Sequence, residues 1–191
     1  MIIKENQKIF CALSGEEINI NRDNYLYFPN IVVNTKSPLY KLNDSFILKD
    51  SIDNSPLKKD IFKYIESVQP RLDNKYVDYI SGEILTLRNF DHPENIIEVA
   101  YLMLSETHPC HKYNNILINK KNRDKWKNKN QFIKDLSELS ESNEWGGDYI
   151  ENLFDNIFNK PIVPPFNKKM LDIIQKKIEE GKGQWWMRFD E

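Results

Sequence analysis

At 191 residues the chain is long enough to bury a core without disulfide or metal staples, and a 40% hydrophobic, 29% charged composition excludes a disordered or membrane-embedded polymer. A net charge of -2 argues against a general nucleic-acid binder, and two cysteines, Cys11 and Cys110, imply no disulfide framework. No run approaches the ~18 apolar residues of a spanning helix, and MIIKENQKIF contains no uninterrupted apolar segment, so the expected location is the cytoplasm, away from membranes.

Taken in order, the pattern predicts an α+β fold, one compact unit over 1–191 in which 1–55 is β-rich and antiparallel and 56–191 is mainly helical. KIFCALSG, EEINI and NYLYFPNIVV cluster β-branched and aromatic residues around the turn signals Ser14-Gly15 and Arg22-Asp23-Asn24. SPLYKLNDSFILKD adds a turn and a short strand at Phe46 to Leu48. Ser55-Pro56 then opens an amphipathic helix with Leu57, Ile61, Phe62, Ile65 and Val68 at helical spacing, and Pro70 is expected to end it. Between Lys75 and Asn89, YVDYI and EILTL read as a hairpin across Ser81-Gly82.

PENIIEVAYLMLS, Pro93 to Ser105, carries one charge, Glu98, between Ile96 and Leu104, and is expected to be a central buried helix with Asp91 as its cap and Glu94 closing the capping box. THPCHKYNN is too polar and proline-broken for a helix, and ILI follows it. From Asn122 the pattern is helical. Phe132, Ile133, Leu136 and Leu139 form one stripe; Tyr149, Ile150, Leu153, Phe154, Ile157 and Phe158 form a second, entered through Gly146-Gly147. PIVPPF is a stiff connector, and a last helix capped by Asn167 places Met170, Leu171, Ile174 and Ile178 on one face before Gly181. No internal repeat is read, because the two Ser-Gly-Glu triplets at Ser14 and Ser81 are short enough to arise by chance.

Three patterns bear on chemistry. Cys11-Ala-Leu-Ser14-Gly15 resembles a zinc knuckle of the C-x-x-C-G kind with its second cysteine replaced by serine, and residues 8–65 resemble a treble-clef finger. The resemblance implies a second ligand pair at a helix start, where Leu48 and Ser51 stand. Serine is a poor zinc ligand and leucine none, so it implies a finger that has lost its metal and is held by packing. The alternative is an unrelated hairpin with a buried Cys11.

His108, Cys110 and His111 form the second pattern, HPCH. With Cys11 they would complete four metal ligands, although adjacent Cys110 and His111 rarely reach one ion; Cys110 beside a histidine base also has the composition of a thiol nucleophile. The competing reading is a polar surface loop. Glu180-Gly-Lys182 satisfies E-x-K but falls at a helix end, and no dinucleotide, phosphate-loop or nucleophile-elbow element occurs, so neither an enzyme nor a cofactor is expected.

The third pattern is charge segregation. Lys112 to Lys134 holds Lys112, Lys120, Lys121, Arg123, Lys125, Lys127, Lys129 and Lys134 against Asp124 alone. The next stretch reverses it with Asp135, Glu138, Glu141, Glu144, Asp148, Glu151 and Asp155 and no base. The acids are expected to form a surface that steers another protein, with Trp185 and Trp186 of GQWWMRFDE as a second contact or as core. Toxin-neutralising immunity proteins of bacteria or phages have this general character. The alternative partner is nucleic acid, held by the finger-like N-terminus with Lys121, Arg123, Lys125, Trp126, Lys127 and Lys129, Trp126 stacking on a base.

Overall fold

The computed structural model describes residues 8–29, 32–72, 76–85, 92–102, 105–142 and 148–180, with the side chains of 68–72 and 178 excepted. The fold is α+β: among the described residues, three two-stranded antiparallel sheets, each short, are set among helices.

The N-terminal part begins with β1 (Ile9–Phe10) and β2 (Glu17–Ile18), joined by a turn in which Gly15 takes φ +75°, a conformation that strains any residue with a Cβ. β3 (Tyr25–Phe28) pairs in full register with β4 (Ser45–Leu48), from Tyr25 opposite Leu48 to Phe28 opposite Ser45. A bridge from Cys11 to Phe46 seats the first hairpin against β4. One helical turn, α1 (Lys49–Asp53), follows directly on β4, and α2 (Lys58–Leu72) lays Ile61 and Tyr64, with Leu57 just before it, onto a core containing Phe28, Leu39, Leu42 and Ile47. Burial of each such side chain contributes roughly 1.5–3 kcal/mol. Among the residues expected on that face, Phe62 is exposed, and the helix runs two residues past Pro70 rather than ending there, the proline falling in its last turn.

The expected central helix does not form. Pro93–Asn95 makes one 3-10 turn capped by His92, and Ile96–Glu98 is β5, paired antiparallel with β6 (Leu117–Asn119). The physical reason is that an apolar run lacking alternation suits a strand buried on both faces as well as a helix, and β-branched Ile96, Ile97 and Val99 favour the strand. Val99 and Leu102 are still fully buried, so the stretch is central to the core although extended. Asp91 lies outside the described residues. YVDYI and EILTL meet through one antiparallel bridge, Val77 to Ile84, around Gly82 at φ +73°.

HPCHKYNN is not a surface loop. Pro109–Tyr113 is a 3-10 helix that buries Cys110 and Tyr113. A further 3-10 helix, Lys120–Lys125, leads to α3 (Lys129–Glu141), and α4 (Tyr149–Phe154) continues into a π-helical turn, Asp155–Asn159. Trp126, Phe132, Leu136, Leu139, Ile150, Leu153 and Ile157 share a core with Val99, Leu102 and Cys110. Asparagine amides tie loops to it by standing in for backbone: Asn95, fully buried, both donates to and accepts from Val163 (2.9 and 2.8 Å), and Asn114 accepts from the Leu102 amide (2.7 Å). PIVPPF belongs to neither helix nor strand, and α5 (Lys168–Glu179) starts where Asn167 accepts from the Met170 amide (3.0 Å). Of the apolar face expected on α5, Ile174 is buried, while Met170 and Leu171 are exposed; the side chain of Ile178 lies outside the description. Among the described residues no helix is long and apolar enough to cross a membrane.

Candidate functional site

The turn at Ser14 and the junction of β4 with α1 bring Cys11, Ser14, Leu48 and Ser51 to one centre. Cys11 Sγ accepts from the Leu48 amide (3.3 Å) and the Ser14 amide (3.4 Å) and lies 3.1 Å from Ser51 Oγ. Burial pushes the thiol up, but hydrogen bonds from the side chains of Ser14 and Ser51 and from the Leu48 and Ser14 amides outweigh it, bringing Cys11 down from 9.0 to about 7. Beside this centre opens a cleft of about 930 Å³, walled by Ser14, Glu16, Glu17, Arg22, Asp23, Asp50 and Ser51 among others. Three of its four carboxylates are already engaged: Glu16 accepts from Ser14 Oγ, Glu17 pairs with Lys8 at 2.8 Å, and Asp23 accepts from the Asn19 amide at 2.6 Å.

HPCH is structural. His108 Nδ1 accepts from the Cys110 amide (3.1 Å) and so caps the turn that follows, while the Cys110 thiol donates to the Asp135 carbonyl (3.2 Å). Burial, with the Asp135 carboxylate adding to it, pushes Cys110 up to about 12, the opposite of what a nucleophile needs. Cys11 belongs to the N-terminal core and Cys110 to the C-terminal one, so Cys11, His108, Cys110 and His111 do not form the ligand set; among the described residues no group of three or more His, Cys, Asp or Glu is placed to hold a metal ion.

Asp135 is buried, contrary to its expected place on the acidic surface. Its carboxylate accepts from Gln131 (2.6 Å) and the Tyr113 hydroxyl (2.9 Å) and pairs with Lys112 (3.0 Å). Burial raises its pKa, but the hydrogen bonds from Gln131, Lys112 and Tyr113 prevail and hold it below the usual 3.8. A depressed carboxylate contributes its stability in full above the unfolded value and loses it as pH falls through the folded one. The stability advantage of the wild type over Asp135→Asn is therefore expected to shrink on acidification below 3.8, measured by urea unfolding at several pH values. A gap that does not change with pH would contradict this role.

The remaining expected acids divide. Glu138, Glu141, Asp148, Glu151 and Asp155 are exposed on or beside α3 and α4; Glu138 pairs with Lys134 at 3.8 Å and Asp155 with Lys160 at 3.9 Å. Such exposed pairs are worth only ~0.2–1 kcal/mol, so the face stays negative in character. Glu144, Trp185 and Trp186 lie outside the described residues.

The basic run is largely turned to internal use. Lys120 is buried and donates to the Pro161 carbonyl (3.2 Å). Arg123 donates to the carbonyls of Ile157 (3.2 Å) and Lys160 (2.9 Å), a cation at a helix C-terminus. Lys129 Nζ sits 4.4 Å over the Phe158 ring. Trp126, the intended stacking residue, is 8% exposed, with ring centroids 4.7 Å from Phe132 and 6.0 Å from Phe158. Lys121, Lys125 and Lys127 are exposed.

Hydrophobic spacing could have found Trp126, which lies six residues before Phe132 at the head of the stripe. Little local signals that Asp135 and Lys120 are internal, because apart from Gln131, one turn before Asp135, their partners lie on other elements. No family model matches the chain, and no curated protein or solved structure matches it either.

Proposed function

We propose that the protein is a non-enzymatic binding protein whose outer α3 and α4 face, Glu138, Glu141, Asp148, Glu151 and Asp155, engages a basic surface on another protein. One observation carries this reading: these five carboxylates are exposed along two helices that share one core, while the lysines and arginine preceding them are mostly committed to carbonyls, a ring or a neighbouring acid. A face of one sign raises the encounter rate with a complementary partner and disfavours a phosphate backbone. The groups suggestive of chemistry support the same reading, since Cys110, His108 and Asp135 are occupied in holding the fold. A toxin-neutralising immunity protein of a bacterium or phage is an example of the class. Burial of Trp126 counts against the nucleic-acid alternative, which loses its stacking platform.

The test is affinity capture from the native cell, with bound material eluted by rising salt. A basic protein released between about 0.05 and about 0.5 M salt is expected, as screening shortens the reach of the field. Recovery of bulk DNA or RNA, lost when Lys125 and Lys127 become glutamate, would overturn the reading in favour of nucleic acid.

A further inference from the structure

We infer that the chain contains one structural unit twice, over Cys11–Asp53 and Asp78–Lys125, each organised by a buried hydrogen-bonded centre at the four positions where a metal finger carries its ligands. The two Ser-Gly-Glu triplets are the visible remnant. In the first unit the Gly15 amide donates to the Cys11 carbonyl and the Cys11 amide to the Glu16 carbonyl, both at 2.8 Å. In the second the Gly82 amide donates to the Asp78 carbonyl (2.8 Å) and the Asp78 amide to the Glu83 carbonyl (2.9 Å). The two glycines take φ +75° and +73°. Cross-strand neighbours correspond as well: Phe10 opposes Glu17, and Val77 opposes Ile84.

The correspondence continues through the distant half of each unit. An antiparallel hairpin, β3 with β4 or β5 with β6, returns its second strand to the turn by a parallel bridge, Cys11 to Phe46 or Asp78 to Leu117. The Ala12 amide donates to the Phe46 carbonyl and the Tyr79 amide to the Leu117 carbonyl, each at 2.8 Å. Each second strand runs straight into a helical turn, at Lys49 or Lys120. Ten residues separate Leu48 from the start of α2 at Lys58, and ten separate Asn119 from the start of α3 at Lys129.

The centres match position for position. Cys11 Sγ takes the amides of Ser14 and Leu48 and lies beside Ser51; the Asp78 carboxylate takes the amides of Ser81 (3.0 Å) and Asn119 (2.7 Å) and the side chain of Asn122 (2.8 Å). Ser81 Oγ adds a further donor at 2.8 Å. The chemistry explains the residue choice. A thiol is served by two amides beside the Ser14 and Ser51 hydroxyls, whereas a fully buried carboxylate calls for the stronger set of donors that Ser81 and Asn122 supply in the place of a cation. Sequence similarity has faded because a shared centre constrains the partners of an acceptor and leaves the residues between them free.

Exchanging the centres tests the equivalence in the full-length protein. Cys11→Asp is expected to lower the urea midpoint and Ser51→Asn, added to it, to recover about half or more of the loss by supplying the donor that Asn122 supplies; Asp78→Cys and Asn122→Ser should behave reciprocally. A double variant no more stable than its Cys11→Asp or Asp78→Cys parent, in either pair, overturns the inference. Should a single variant fail to fold, amide exchange on the wild type decides: Ala12, Leu48, Tyr79 and Asn119 are expected in the slowest class, and unprotected exchange at Tyr79 or Asn119 overturns it.

Discussion

Replacing Asp78 by alanine is expected to destabilise the protein by about 2–4 kcal/mol, the size expected when two buried donors lose their acceptor together. The carboxylate is fully buried and accepts from the Ser81 amide and hydroxyl, the Asn119 amide and Asn122 Nδ2 at 2.7–3.0 Å. Alanine leaves the buried Asn119 amide and Asn122 Nδ2 without this acceptor, while the exposed Ser81 can turn to water or to Glu83; each unsatisfied buried donor costs roughly 1–3 kcal/mol, less what relaxation recovers. Because a domain of ordinary size is stable by only about 5–15 kcal/mol, the variant should unfold at a much lower urea midpoint. Asp78→Asn keeps the shape but converts one acceptor oxygen into a donor facing other donors, so it should cost less than alanine and remain harmful. A loss under about 1 kcal/mol for alanine, the size of one ordinary hydrogen bond, would show that the centre does not hold the turn to β6 and the following helix.

The second large effect is expected from Trp126→Ala, which should cost about 3–5 kcal/mol through lost burial and the cavity left behind. The indole joins Phe132 and Phe158, and Tyr79 stands edge-on at 6.1 Å, so its removal opens the core at the point where the Lys120–Lys125 turn meets α3. Urea unfolding measures it. If Trp126 were instead a surface residue used for stacking, the same substitution would leave stability within about 0.5 kcal/mol and remove binding.

Local signals were legible where local chemistry decides. The turns at Gly15 and Gly82, the cap at Asn167 and the helix carrying Ile61 follow from φ requirements, a capping side chain and a 3.6-residue period. Non-local pairing was not legible. Ile96–Glu98 is a strand because Leu117–Asn119 lies beside it, and an apolar run has no period by which to announce that neighbour. Two charges escape the sequence for a related reason: Asp135 and Lys120 look like surface charges, yet each is buried because Lys112 with Tyr113, or the Pro161 carbonyl, comes from elsewhere in the chain. Cys11, Ser14, Leu48 and Ser51 were grouped by the finger resemblance, and the structure does bring them together. The matching set, Asp78, Ser81, Asn119 and Asn122, shares only the Ser-Gly-Glu turn with it and emerges from hydrogen bonding alone.

If the buried charges serve folding and the exposed acids serve recognition, the two roles should separate in one variant. Glu141→Lys, Asp148→Lys and Glu151→Lys combined change side chains that are exposed, and because Asp148 and Glu151 stand at the start of α4, where the helix dipole favours acids, the unfolding free energy should fall by no more than about 1 kcal/mol per site. Association of this variant with the captured partner is the most direct measurement. The expected result is an on-rate reduced by about tenfold or more at low salt, with the salt dependence of the wild type gone. An unchanged on-rate and an unchanged salt slope would contradict the proposal that the acidic face is the recognition surface.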